Sequence, residues 1–196
     1  AVLHDKQSYG QGIASSVRDD LKKANVDVAL FEGINAGDSD YSAVITKLKS
    51  AGIDFVYFGG YHPEMGLLLR QAAEQGLKVR MMGPEGVGNP EVNAIAGNAV
   101  EGMLVTLPAD FAANPKNAAV VTAFKDKKRN AGGAFQLTSF AAAQSLIAAI
   151  KAAGDNPTKV AEYLHKSTVD TVLGPISWNK QGDLNSFDFQ VFQWHK

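Results

Sequence analysis

The chain has no cysteine, which excludes disulfides, thiol nucleophiles and thiolate metal sites within it. No run of residues approaches the roughly 18 apolar positions that a membrane-spanning helix needs. Charge imbalance is absent too. The 19 Lys and Arg against 20 Asp and Glu leave a formal net charge of −1, so nothing points to nucleic acid or an anionic membrane as partner. Histidine is scarce, and His4, His62, His165 and His195 are scattered with no pair at metal-ligand spacing on one helix. Ser139 and Ser145 sit in no nucleophile-elbow pattern. No signal peptide is visible because the chain opens directly on a strand pattern; an exported protein without its leader would look the same, and so would a fragment. The single basic run, Lys125-Asp126-Lys127-Lys128-Arg129, falls late in a helical pattern and reads as a solvated helix end.

What is present is a regular alternation. Short apolar runs at 1–4, 28–31, 54–58, 79–83 and 103–106 alternate with helical patterns at 10–24, 40–50, 63–75 and 91–96. In the first helix Ile13, Val17 and Leu21 recur at four-residue intervals opposite Arg18, Asp19, Lys22 and Lys23. Strands alternating with helices predict an α/β fold with a parallel sheet flanked by helices, Rossmann-like or flavodoxin-like. Such sheets take ligands in the crevice beyond the carboxyl ends of their strands.

Three side chains fall just past those ends. Tyr9 lies in His4-Asp5-Lys6-Gln7-Ser8-Tyr9-Gly10-Gln11-Gly12, between the first strand and first helix. Gly10-x-Gly12 lacks the third glycine of a dinucleotide fingerprint, so no cofactor is implied. Tyr61 follows Gly59-Gly60 after the third strand, and Glu85 sits in Gly83-Pro84-Glu85-Gly86 after the fourth. Singly, each has a plain alternative: a ring over a helix start, a tight turn, a loop acid. Together, two rings and a carboxylate on one sheet edge suit a small cation with an apolar part. A carboxylate among backbone amides there is expected to stay ionised and to pair with an ammonium. Glu64, in the first turn of the third helix, reads as a helix-dipole partner. Asp5 ends the first strand where phospho-receivers and hydrolases also place acids, which keeps a small flavodoxin-like enzyme open as a rival.

After Pro108 the pattern changes to helices at 117–130, 138–153 and 158–166, then strands at 171–178 and 187–194. The second of these helices is nearly all Ala, Leu and Ile and is expected to pack deeply. This half offers no parallel strands for its helices to cover, so a sheet preceding Ala1 is expected and the chain reads as a piece of a larger protein.

The segments around His4–Gly10 (4–10), Phe58-Gly59-Gly60-Tyr61-His62-Pro63-Glu64-Met65 and Met82-Gly83-Pro84-Glu85-Gly86-Val87 resemble the periplasmic leucine/isoleucine/valine-binding proteins. So do Gly133-Ala134-Phe135, Val169-Asp170-Thr171-Val172-Leu173-Gly174-Pro175, Gly182-Asp183-Leu184 and the ending Val191-Phe192-Gln193-Trp194-His195. The similarity is collinear over essentially the whole chain. The resemblance implies a type I periplasmic-binding-protein fold, with one α/β lobe and an incomplete second lobe. It implies a non-enzymatic function, the binding of a branched-chain or other aliphatic L-amino acid between two lobes for delivery to an ABC-transporter permease. It makes Glu85 the partner of the ligand ammonium, Tyr9 and Tyr61 cleft walls of one lobe, and Phe135 a wall of the side-chain pocket in the other. The implied lobes are 1–107 with 189–196, and 108–188. The family's first lobe draws on an N-terminal stretch that this sequence does not contain, so a first-lobe segment or a second chain is expected to complete the cleft, and binding by the chain alone is expected to be impaired. A sensory or regulatory module of the same fold, and a trimmed engineered fragment, are the remaining alternatives.

Overall fold

The computed structural model describes residues 1–133 and 135–195. The chain forms two compact units, residues 1–107 with 191–196 and residues 108–190. Phe189 and Gln190 thus fall in the second unit, whereas the lobes implied by the resemblance group them with 1–107.

The first unit is a βα repeat: β1 (Val2–His4), α1 (Ser8–Lys23), β2 (Phe31–Gly33), α2 (Ser42–Ser50), β3 (Phe55–Gly59), α3 (His62–Glu74), β4 (Arg80–Gly83), α4 (Val92–Ala96) and β5 (Leu104–Pro108). The strands lie in the order β2-β1-β3-β4-β5, with β8 (Phe189–Gln193) beyond β5. Neighbours among the first five are parallel, Val2 standing beside Phe31 on one side and Tyr57 on the other. The order reverses across β1, which makes the β1/β3 boundary the switch point where such sheets open a crevice.

Strand alternation sorts the side chains onto two faces. Leu3, Val56, Phe58 and Met81 pack with Ile45, Leu48, Met65 and Leu68 of α2 and α3 in the larger core. Val2 and Tyr57 pack with Ala14 on the α1 side, joined by the half-buried Val17, Leu21 and Met82. Each fully buried leucine-sized side chain contributes about 1.5–3 kcal/mol. On the α1 side an apolar groove of about 660 Å³ stays open between Val17, Leu21, Phe55, Tyr57 and Met82.

Two boundaries differ from the sequence pattern in ways that matter. The second strand starts at Phe31 instead of Val28. The first helix starts at Ser8 instead of Gly10, placing Tyr9 inside its first turn. Asp5 causes the early start: its Oδ1 accepts from Gln7 N–H at 2.9 Å, and Gln11 N–H closes the first helical bond on Gln7 O at 2.8 Å. The helix can begin so close to the sheet because Gly10 meets Gly59. A Cβ on Gly10 would stand 2.5 Å from Gly59 O and closer still to Asp5 Oδ1.

The second unit holds α5 (Ala118–Asp126), α6 (Gln136–Ala153), α7 (Pro157–Lys166) and an antiparallel pair, β6 (Val169–Thr171) and β7 (Gly174–Ile176). In place of the expected single strand over 171–178 there is a hairpin, turned at Val172-Leu173, with Gly174 at φ +94° opening its second strand. The expected helix over 117–130 ends at Asp126, since Lys127 and Arg129 both donate to Phe124 O and Lys128 is left-handed. A small core gathers Ala131, Leu137, Ala141 and Val172. Asn117 ties it to the hairpin, its Nδ2 donating at 2.8 Å to the carbonyls of Phe111 and Val172.

Helix α6 does not pack deeply, contrary to expectation. It buries only Leu137, Ala141, Ser145 and Ala149. Leu146, Ile147 and Ile150 are about half exposed, at 50%, 53% and 46%. Among the described residues the unit has no sheet on which that stripe could lie; its only ladder is the short hairpin.

Candidate functional site

At the β1/β3 switch point the two tyrosines come together. Tyr9 rises from the first turn of α1, and Tyr61 is the residue immediately before α3. Their ring centroids are 5.3 Å apart with planes inclined by 34°, a tilted pair within the distance range of aromatic contacts. Both rings remain partly open to solvent, at 39% and 45% exposure.

Glu85 reaches the same place from β4. It opens a single 3₁₀ turn over Glu85–Val87, and that turn carries Gly86 against the rings. A Cβ on Gly86 would stand 2.7 Å from Gly60 O, 3.1 Å from the Tyr61 ring and 3.2 Å from the Tyr9 ring. The Gly86 N–H and the Glu85 carboxyl are both near enough to the Tyr9 hydroxyl to act on it electrostatically. Burial pushes the Tyr9 phenol up, an effect the Gly86 N–H opposes and the Glu85 charge reinforces.

The Glu85 carboxyl is not held by backbone amides, which corrects the expectation from the sequence. Among the described residues no hydrogen bond or ion pair to its carboxylate is found, and burial pushes its pKa up. The 3₁₀ turn points its N–H groups elsewhere: Val87 donates to Pro84 O and Gly88 to Glu85 O. A half-buried carboxyl without donors is poised to gain from an ammonium.

Beneath the rings lies Asp5, 1% exposed, with Oδ1 bonded to Gln7 N–H and Oδ2 without a partner. Burial raises its pKa, the Gln7 bond lowers it, and the nearby Glu64 raises it further. Glu64 has a second contact besides its expected place at the helix start. It is in the first turn of α3, but it is buried and its Oε1 accepts from Gly37 N–H at 3.0 Å, tying the loop after β2 to the helix. On the outer lip His62 Nε2 stands 3.2 Å from Glu91 Oε2.

Phe135 is the fourth expected residue and belongs to the second unit, where it precedes α6 and is 56% exposed. Sequence reasoning missed Gly86 as the floor of the tyrosine pair and Asp5 as its support. The signal was present in the adjacent glycines, since Gly10, Gly59, Gly60 and Gly86 leave room only for close backbone approach. Among the described residues no group of three His, Asp or Glu could hold a metal ion. Two aromatic faces beside a free carboxyl can attract an ammonium by charge pairing and by cation–π contact, while the rings cover apolar atoms.

The sequence profile of the periplasmic binding protein family matches residues 1–196, the whole chain. The chain belongs to that family. The Leu/Ile/Val/Thr/Ala-binding protein of Pseudomonas aeruginosa is 55% identical over all of this chain, and the Leu/Ile/Val-binding protein of Escherichia coli K12 is 51% identical. The chain spans about half the length of these curated relatives, 53% of each. A leucine-binding protein from Thermotoga maritima superposes with a TM-score of 0.83 at 28% identity, over 96% of this chain and 59% of that one. The resemblance read from residues 4–10, 58–65 and 82–87 thus reflects common family membership. So does the α/β reading, since the parallel sheet flanked by helices is the periplasmic-binding-protein type.

Proposed function

We propose that the Tyr9–Tyr61–Glu85 cluster is one wall of a cleft that binds an aliphatic L-amino acid, in a periplasmic solute-binding protein that delivers it to an ABC-transporter permease. Glu85 pairs with the ligand ammonium, and the tyrosine rings flank its apolar part. Phe135 lines the side-chain pocket from the second unit. The two units are the lobes, and the second is completed by a further segment or another chain that covers the apolar stripe of α6. The observation that carries the reading is a half-buried carboxyl without a partner among the described residues beside a tilted tyrosine pair, at the switch point of a parallel sheet. The names of relatives that bind leucine, isoleucine and valine support the ligand class.

One charged hydrogen bond contributes roughly 1.5–3 kcal/mol, and burying a leucine side chain about as much. Micromolar affinity needs about 8 kcal/mol and millimolar about 4 kcal/mol, so half a cleft falls short, and this chain by itself binds leucine only weakly, at millimolar concentrations or above. An NMR titration of the chain tests it. L-leucine is expected to shift the signals of Tyr9, Tyr61, Glu85 and Gly86, and N-acetyl-L-leucine, which carries no ammonium, to leave them in place. Shifts confined to other residues, or equal responses to both compounds, reject the site.

A further inference from the structure

We propose that Asp5 is a positioning residue for the aromatic wall, its buried carboxyl acting as a wedge between the residues that precede and follow the two tyrosines. The proposal rests on the reading of Tyr9 and Tyr61 as a cleft wall, but it concerns how the wall is held and not what it binds.

The geometry is specific. Asp5 is two residues before Gln7, and its Oδ1 accepts the Gln7 N–H that starts the turn into α1. A Cβ on Gly10 would run into that same Oδ1, and a Cβ on Gly60 would stand 3.2 Å from Oδ2. Gly10 follows Tyr9 in the chain and Gly60 precedes Tyr61. One carboxyl therefore touches the backbone on both sides of the ring pair. Asp5 N–H also donates to Gly59 O at 3.1 Å, locking β1 to the end of β3 beneath it.

Oδ2 has no hydrogen-bond partner and no exposure to water. A buried polar atom left unpaired costs stability and calls for an explanation. An aliphatic residue would avoid that cost, but it could not accept from Gln7; the carboxyl accepts through Oδ1 and fills the space beside Gly10 and Gly60. Its removal takes away the Gln7 bond that starts α1 and the filler beside Gly10 and Gly60, so the first turn of α1 is no longer fixed and the two rings lose their spacing.

The test uses the 196-residue chain and reads cross-peaks between the Tyr9 and Tyr61 ring protons, with Leu3–Phe58 cross-peaks as the internal standard of an intact core. In Asp5→Ala the tyrosine cross-peaks are expected to be lost while the Leu3–Phe58 ones persist. Asp5→Asn, which keeps the planar shape and the acceptor, is expected to restore them. Should Asp5→Ala not fold, Asp5→Ser keeps an acceptor for Gln7 while emptying the wedge, and it is read by the same loss. Retained tyrosine cross-peaks in Asp5→Ala or Asp5→Ser, or their loss in a folded Asp5→Asn, overturns the proposal. Because these measurements are made without ligand, their outcome is independent of the leucine titration of the wild-type chain, which alone decides whether the wall binds an amino acid.

Discussion

Replacing Glu85 by Gln separates charge from shape at the site. Glutamine has nearly the same volume and keeps one acceptor oxygen, so packing against Tyr9 and Gly86 is preserved. What disappears is the ionised partner for an ammonium. A hydrogen bond with a charged partner is worth roughly 1.5–3 kcal/mol and one with a neutral acceptor roughly 0.5–1.5 kcal/mol, so leucine affinity should fall by about tenfold, each 1.4 kcal/mol being tenfold. Stability should move the other way. Burial raises the Glu85 pKa, so in the free chain the carboxylate destabilises the fold as pH rises from the ordinary carboxylate range through the raised folded value. Glutamine removes that penalty, and the melting temperature at neutral pH should rise relative to wild type while matching it more closely in acid. The assays are the leucine NMR titration and thermal unfolding followed by circular dichroism at several pH values. Unchanged leucine affinity in Glu85→Gln, with the chain folded, refutes the ammonium pairing.

Four further outcomes follow from the packing. Gly10→Ala should destabilise the chain by about 1–3 kcal/mol, as overpacking does, because its Cβ meets the Gly59 carbonyl and the Asp5 carboxyl, neither of which is free to move; urea unfolding measures it, and a neutral result removes the close contact of α1 and β3. Leu68→Ala, at a fully buried position of α3, should cost about 2–5 kcal/mol by the same method. Ile147→Ser on the exposed stripe of α6 should change the stability of this chain by less than about 0.5 kcal/mol; a large loss would mean that the stripe is covered. Tyr41 and Tyr57 are pushed by burial up to about 12, so their phenolate absorbance should develop about two units above that of an ordinary tyrosine near 10. Since their raised folded values exceed the unfolded one, the stability they lend is whole below pH 10 and is lost between there and about 12.

The α/β class, the order of strands and helices and the edge from which Tyr9, Tyr61 and Glu85 project were legible from the sequence alone, because they depend on local periodicity and on the direction of a parallel strand. Four-residue spacing in 13–21 decides which face of that helix is apolar wherever it goes, and the continuous apolar run 55–58 marks a strand covered on both faces. The family was legible for another reason, a collinear set of motifs carried across the chain. What tertiary structure alone decided depends on neighbours far apart in sequence. It moved the start of α1 to Ser8 through a bond between Asp5 and Gln7 and a glycine contact with β3. It left the Glu85 carboxyl without the amide donors expected around it, since those amides bond elsewhere, and burial raises its pKa. It left half of an apolar helix in water, because burial requires a partner surface and composition does not say whether the chain supplies one.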